Sequence, residues 1–493
     1  MVDVVLPGLL APAGEGNALL VQANGSRARL AHIVTLGCQM NVRDSQTLAG
    51  MLAQMGYGFT DRIEEADLVL FNTCSVRENP ERKVYGQVAG LRALKERRPG
   101  MIIGIAGCMP QQRPELDRMK ESLPHVDLIM GTLNLHRFPE LLQQVIETGR
   151  RAVEVWHDEG EIVEGLPVLR DPGAVTAFVS AIYGCDYRCT FCVVPNTRGR
   201  QRSRLPQAVE REVRELVGQG VKEVTLLGQT VNAYGRDLPG RSVTLASLLE
   251  RLSSVEGLER IRFTSNHPRE LTDDLIEAMA RLPKVAEHIH LAVQSGSDRI
   301  LHRMGRRYTA AEFADLVERL RSAVPGLAVT TDIIVGFPGE TEEDFQATLE
   351  LVRRVRFDSA FTFVYSPRPG TAALKLPDPV PEPVKRDRIQ RLIELQNAIS
   401  LERNQPYRGQ VVEVLVEGAS ETNPDRLSGR TRTNKVVVFD APGEERQRLM
   451  GRLVPVYVED VNTWTLFGRR DMPAAMAAGP KAASAAAAPP RAG

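Results

Sequence analysis

Three cysteines within eight residues constrain this chain more than any other feature. They are Cys185, Cys189 and Cys192, in the run Cys-Asp-Tyr-Arg-Cys-Thr-Phe-Cys. Thiols spaced C-x3-C-x2-C can wrap one metal centre, yet three of them do not complete a four-coordinate site. A structural zinc site closes all four positions with protein ligands, and no histidine sits nearby to serve as the fourth. A 4Fe–4S cluster held by three thiolates instead keeps one iron open for a further ligand. The other cysteines, Cys38, Cys74 and Cys108, form a second set of three with none left over. A secreted disulfide scaffold would be smaller and denser in cysteine. Two metal sites in a reducing cytoplasm are therefore expected.

The second set gains its meaning from the pattern around it. Residues 1–28 are rich in small residues, Pro and Gly, and are expected to be a flexible extension. Over 29–149 strand and helix alternate. Leu30–Leu36 is an apolar run ending in Gly37-Cys38, Asp67–Phe71 one ending in Asn72-Thr73-Cys74, and Met101–Ala106 one ending in Gly107-Cys108. In an open parallel sheet the carboxyl ends of the strands share one edge, where ligands bind. Three cysteines far apart in sequence would thus meet. As buried small hydrophobes they would not need to recur at three successive strand ends.

Residues 150–172 lose this periodicity and turn acidic, with Glu154, Asp158, Glu159, Glu161 and Glu164, and read as a linker. Over 172–403 strands alternate with helices again. Ala177–Ile182, Glu223–Leu227, Ile261–Thr264, His288–Val293, Val329–Val335 and Ala360–Tyr365 predict a (β/α)6 barrel-like sheet. Its first strand ends at the Cys185 loop, on the face where such barrels keep their chemistry. The other strand ends are polar and carry Gln229 and Asn232, Asn266 and His267, Gln294 and Ser295, and Gly336 and Glu340. A proline-rich spacer follows, then a helix over Val384–Arg403 whose apolar Ile389, Leu392, Leu395 and Ile399 are expected to pack back on the barrel.

From 404 to 471 the period changes to two. Val411–Val416, Lys435–Phe439, Leu453–Val458 and Trp464–Phe467 predict a small β-barrel. Ten basic and nine acidic residues over 404–470 leave it uncharged as a whole, although Arg430, Arg432 and Lys435 cluster. Residues 472–493 hold eleven alanines and four prolines and read as a disordered tail. The chain has 62 basic and 62 acidic residues, so contact with a polyanion must come from local patches. Thr197–Arg204 is one, with Arg198, Arg200, Arg202 and Arg204 beside the cysteine loop, and Arg303, Arg306 and Arg307 would extend it. No uncharged apolar run approaches a membrane span, and Asp3, Pro7 and Pro12 do not fit a signal peptide.

The Cys185 loop, with aromatic Phe191 before its last cysteine, resembles the radical S-adenosylmethionine (SAM) enzymes. Over residues 28–470 the chain resembles the radical SAM methylthiotransferases. The segments Thr35-Leu-Gly-Cys-Gln-Met-Asn41, Asn72-Thr-Cys-Ser-Val-Arg77 and Cys192-Val-Val-Pro195 followed by Thr197-Arg-Gly199 match the MiaB-type branch. The resemblance implies a 4Fe–4S cluster on Cys185, Cys189 and Cys192 that binds SAM. Phe191 would lie beside the adenine of SAM, and Gln229, Asn232, Gln294, Ser295, Gly336 and Glu340 would line its pocket. A second cluster, on Cys38, Cys74 and Cys108, would present the sulfur. The substrate would be N6-isopentenyladenosine on the 3′ side of a tRNA anticodon, converted to its 2-methylthio derivative, with a second SAM giving the methyl group. A C-terminal RNA-binding TRAM domain, a cytosolic electron donor and a sulfur or cluster-assembly donor complete the picture. Threonylcarbamoyladenosine in tRNA and an aspartate of ribosomal protein S12 are the alternative substrates. The chain departs from the family's pattern at Asn196, where Tyr is usual, and at Ala292, where Pro is usual. An electron carrier would complete each cluster with four cysteines.

Overall fold

Parallel strands covered on both faces need apolar side chains at successive positions, and the first strands have them. The computed structural model describes residues 4–5, 29–75, 78–158, 160, 162–239, 243–441 and 443–470. Leu30–Thr35, Leu68–Thr73, Ile102–Gly107, Leu128–Met130 and Ala152–Glu154 lie parallel in that order. Leu68 and Leu70 meet Leu48 and Leu52 of helix Gln39–Gln54 on one face. Val69 and Phe71 meet Val84 and Val88 of helix Glu78–Gly90 on the other. The alternation along one strand thus builds two cores. The flexible extension expected over 1–28 falls outside the described residues except Val4–Val5, which pairs antiparallel with Val34–Thr35. The expected tail, 472–493, lies outside them entirely.

The acidic segment 150–172 is not a free linker. Its Ala152–Glu154 is the last strand of this sheet, and Glu154 pairs with Arg137 at 3.0 Å. Leu169 N donates to Gln46 O, and Glu164 grips Arg204. Three residues are too few to show a period in sequence, and two of the acids that suggested solvent, Glu154 and Glu164, have a half-buried and a buried arginine for partners.

The second sheet is an open barrel. Thr176–Ser180, Glu223–Leu227 and Arg260–Phe263 pair in parallel, as do His288–His290, Ala328–Val335 and Ser359–Val364. Isolated parallel bridges at Ile261–Val285 and Asn266–Leu291 join the two halves. Along Ala328–Val335, Val329, Thr331, Ile333 and Val335 are buried while Thr330, Asp332 and Ile334 are only half-buried. The first set faces the outer helices, among them Ala310–Ala323 and Glu342–Val355, each opened by a capping box. Helix Glu382–Asn404 packs back as expected, with Leu392 and Ile399 in the barrel's core. The expected strand Ala177–Ile182 is two pieces. After Ser180 the chain turns, and Ile182–Tyr183 pairs antiparallel with Arg202–Ser203.

The chain folds as two compact units, Met1–Ile399 and Ser400–Gly493. The second is a closed barrel of five strands, Val411–Ala419, Leu427–Arg430, Val436–Asp440, Thr465–Arg469 and Leu453–Val461 in spatial order. Leu427–Arg430 is the strand that periodicity missed. Its Gly429 lies so close to the neighbouring strand that an added Cβ would stand 2.1 Å from Leu415 O.

Two glycines decide how the first sheet ends. Gly37 and Gly107 have φ of 143° and 102°, and an added Cβ would stand 2.7 Å from Cys74 Cβ and 2.4 Å from Thr73 O respectively. Each immediately precedes a cysteine. Gly107→Ala is expected to cost about 2 kcal/mol or more and to lower the thermal unfolding midpoint. Gly100→Ala, with open space around the new methyl, should leave it unchanged.

Candidate active site

The Cys185 loop is held from several elements at once. Cys185 N donates to Gly199 O at 3.1 Å, and Thr190 N donates to Met304 O at 3.0 Å. Thr190 Oγ1 donates to Arg303 O, and Thr190 O accepts from Ala373 N. Cys185 Sγ lies 3.2 Å from Thr230 Oγ1, beyond the second barrel strand. Arg306, buried, places Nη1 3.5 Å from Cys189 Sγ while Nη2 and Nε donate to Ala292 O and Tyr308 Oη. Phe191 is half-buried against Met304, Phe337 and Tyr365. Burial, then the neighbouring Cys189 thiol, pushes Cys192 up to about 12. Such a thiol gives up its proton chiefly to a cation that takes its place.

Thr230 and Arg306 were not singled out as contacts of these cysteines. Arg306 read as part of a phosphate patch because three arginines lie close in sequence. The structure corrects this: its guanidinium is spent on a thiol, a carbonyl and a phenol. Next to it His267 stacks on Tyr187 at 3.9 Å, and burial followed by Arg306 holds the imidazole well below its ordinary range.

The polar strand ends divide into two roles. Gln229 is half-buried, with Oε1 lacking a hydrogen-bond partner. Gln294 is buried with φ of 74°, an uncommon conformation for a residue with a side chain. Asn232, Ser295 and Glu340 already have partners within the protein. Asn232 exchanges hydrogen bonds with both backbone groups of His267 at 2.9 Å. Ser295 Oγ turns to Thr348 on an outer helix. Glu340 accepts from Gly336 N at 3.0 Å and from Arg388 at 2.8 Å, closing its own loop. Their side-chain groups brace the loops that were expected to contact the cofactor directly.

The N-terminal cysteines all follow strands that end at one edge of the sheet. Register pairs Thr35 with Asn72 and Thr73 with Gly107, so Cys74 and Cys108 leave adjacent strands side by side. Cys38 caps helix Gln39–Gln54, and Cys108 opens helix Cys108–Gln111. Asn41 Nδ2 donates to Thr73 O at 3.0 Å, and Asn72 Nδ2 donates to Asn41 O at 2.8 Å. This brace closes the distance between the Cys38 and Cys74 turns. Burial pushes the Cys108 thiol up, and Arg198 beside it pulls the other way. Among the described residues, no three His, Cys, Asp or Glu side chains close on a single-ion site. A cluster spreads its thiolates over separate irons. Each trio also has one buried arginine beside one of its thiols, an arrangement suited to an anionic centre.

Two members of the expected arginine patch leave it. Arg198 is buried with Nη1 2.6 Å from Asp44 Oδ2. Arg204 is buried between Glu164 and Glu212, at 2.5 and 2.7 Å, and its Nη1 also donates to Ser180 O. Burial alone would raise Glu212, yet Arg43, Arg204 and Arg170 bring it below the ordinary carboxylate range. Asp44, Arg198, Arg204 and Glu212 line a cavity of about 500 Å³ at the junction of the first sheet and the open barrel. Arg202 is half-buried and donates to Gly160 O, leaving Arg200, 3.3 Å from Asp186, as the exposed member. In the second unit Arg430 and Arg432 are half-buried and Lys435 is buried, so Lys435 is not a surface contact.

Residues 30–131 match the uncharacterized protein family UPF0004, 179–352 the Radical SAM superfamily and 405–469 the TRAM domain. A protein of Carboxydothermus hydrogenoformans named tRNA-2-methylthio-N(6)-dimethylallyladenosine synthase is 52% identical over 89% of this chain and 98% of its own length. One of the same name from Thermoanaerobacter sp. (strain X514) is 49% identical over 91% and 94%. The chain belongs to the tRNA-2-methylthio-N(6)-dimethylallyladenosine synthase family. Among solved structures, the radical SAM methyltransferase TsrM of Kitasatospora setae matches with a TM-score of 0.52 and 15% identity, over 70% of this chain and 77% of that one. That likeness is one of fold.

Family membership leaves the arginines to be sorted by structure. Arg204→Ala takes from Glu164 its arginine, from Ser180 O its donor and from Glu212 one of three arginines, and should cost about 2 kcal/mol or more. Arg200→Ala removes an exposed pair and should stay within about 0.5 kcal/mol. Thermal unfolding of the two variants side by side checks the difference.

Proposed function

We propose that this protein converts N6-isopentenyladenosine in tRNA to its 2-methylthio derivative. The observation that carries this reading is the pairing of two three-cysteine sites within one compact unit. The helix that opens just beyond Cys192 packs on the helix that Cys108 opens. The residues fit iron–sulfur clusters: three thiols per site, a buried cation at each, and strand-end loops rigid enough to hold them. With a cluster and SAM at Cys185, Cys189 and Cys192, and a second cluster at Cys38, Cys74 and Cys108, the first site would supply hydrogen abstraction from an aromatic carbon and the second the sulfur.

The chain's own residues explain how that chemistry is contained. Thr230 and Arg306 fix two of the three thiols, and Arg306 offers positive charge where the thiolates carry negative. Burial holds His267 neutral, so it stacks without adding a second buried cation. Gln229 and Gln294 keep the cofactor-contact role expected of them, while Asn232, Ser295 and Glu340 act as positioning residues. The carbon–hydrogen bond at C2 of an adenine ring is not acidic enough for a general base to remove readily.

A reader of single-stranded loops takes bases that have left their stack. The tRNA anticodon loop is such a target, and Arg200 is the member of the original patch placed to meet its phosphates. Electrons and replacement sulfur come from cytosolic donors in this reading. Among the described residues no helix is long and apolar enough to cross a membrane.

Anaerobic reconstitution with iron and sulfide, followed by reductant, SAM and tRNA bearing isopentenyladenosine, tests the reading by nucleoside mass spectrometry. A methylthio gain on that nucleoside is expected, and Cys108→Ala should abolish it while SAM cleavage continues. A gain confined to threonylcarbamoyladenosine would move the substrate. In a salt titration of tRNA affinity, Arg200→Ala should reduce the slope by about one, whereas Arg204→Ala should leave it unchanged.

A further inference from the structure

The helix Val194–Arg198 links the two cysteine sites physically. It begins two residues beyond Cys192 and packs on helix Cys108–Gln111. Thr132 Oγ1 donates to Thr197 O at the same junction. At the helix end, Arg198 is 6% exposed and its Nη1 is 2.6 Å from Asp44 Oδ2. Asp44 itself lies on the helix that Cys38 caps. Arg198 Nη2 is buried without a partner, on a helix packed against the one that Cys108 opens.

A buried guanidinium persists where nearby negative charge and acceptors compensate its lost hydration. Asp44 supplies one charge and accepts at Nη1. It does not satisfy Nη2, and an ion pair alone would not need to lie against the helix that Cys108 opens. Three thiolates around an iron–sulfur centre would supply both further negative charge and sulfur acceptors, and hydrogen bonds to such sulfurs tune a cluster's potential.

We infer that Arg198 is a positioning residue, delivered from the Cys192 side, that fixes the Cys38, Cys74 and Cys108 centre and offsets its negative charge. The inference rests on the proposed function, because it takes that trio to hold a cluster. It reassigns a residue whose place in an arginine-rich run pointed to RNA.

Charge gives the test its sign. Removing a positive charge beside a cluster makes reduction harder and lowers its midpoint potential; removing a negative charge raises it. The full chain carrying Cys185→Ala, Cys189→Ala and Cys192→Ala leaves only the N-terminal trio to hold iron. Redox titration followed by electron paramagnetic resonance then compares this parent with added Arg198→Gln or Asp44→Asn. The expected result is a fall in potential for Arg198→Gln and a rise for Asp44→Asn, with Arg198→Lys staying nearer the parent than Arg198→Gln. If the two partners shift the potential in the same direction, or neither shifts it, Arg198 is only half of a structural ion pair and the inference is overturned. Should Arg198→Gln fail to fold or hold iron, the rise in Asp44→Asn supports the inference and its absence overturns it. A parent with no iron–sulfur signal would instead overturn the proposed function, and this inference with it.

Discussion

A cysteine side chain is short, so a shared centre forms only where backbone geometry brings thiols together. Parallel strands supply that geometry because their carboxyl ends lie along one edge. The register of Thr35 with Asn72 and Thr73 with Gly107 therefore decides whether three cysteines from three turns meet. Everything near them serves that meeting. Gly37 and Gly107 remove the Cβ atoms that would hold the turns apart, and Asn41 and Asn72 lock the turns to each other. The barrel solves the same problem differently. Its trio lies in one loop, and the loop is pinned by Thr230, Arg306 and the backbone of Met304.

Buried charge is the cost of joining the two solutions. The junction of sheet and barrel contains Arg43, Arg170 and Arg204 around Glu212, and Arg198 against Asp44. Apolar packing of similar volume would often be at least as stable as such pairs. What such pairs add is direction: a guanidinium makes directional bonds, so each pair sets position as well as proximity. Arg204 shows this best, reaching Glu164 from the segment before the barrel, Glu212 from the first outer helix and the carbonyl of Ser180 at once.

The strands and cysteines were legible in sequence because their signals are local. An apolar run ending in Gly-Cys needs no knowledge of its neighbours to be read, and Glu223–Leu227 matches its expected bounds. Partners distant in sequence were not legible. Arg198, Arg200, Arg202 and Arg204 form one basic run, but Asp44, Asp186, Gly160 and Glu164 give its members four different fates. The same limit explains Ala152–Glu154, whose three residues pair with Leu128–Met130 but show no period of their own. It explains Leu427–Arg430 too, where Gly429 is needed for close approach and lowers the strand signal.

A loop that binds a cofactor must first be held in place, and that requirement divides the polar residues at the barrel's mouth. Composition alone marks all of them as candidate contacts. Geometry separates those already satisfied from those with capacity left. Asn232 bonds both backbone groups of His267, and Glu340 bonds Gly336 and Arg388. Gln229 keeps an unpartnered buried oxygen, and Gln294 is held in a left-handed conformation that its own preferences disfavour. Strain and unmet hydrogen bonds cost stability unless something bound there compensates. Arg198 follows the same logic on the other side of the junction, where a buried donor without a protein partner stands beside a cysteine. Unsatisfied groups beside the two thiol sites, rather than polarity as such, mark the residues with hydrogen-bonding capacity left for a ligand.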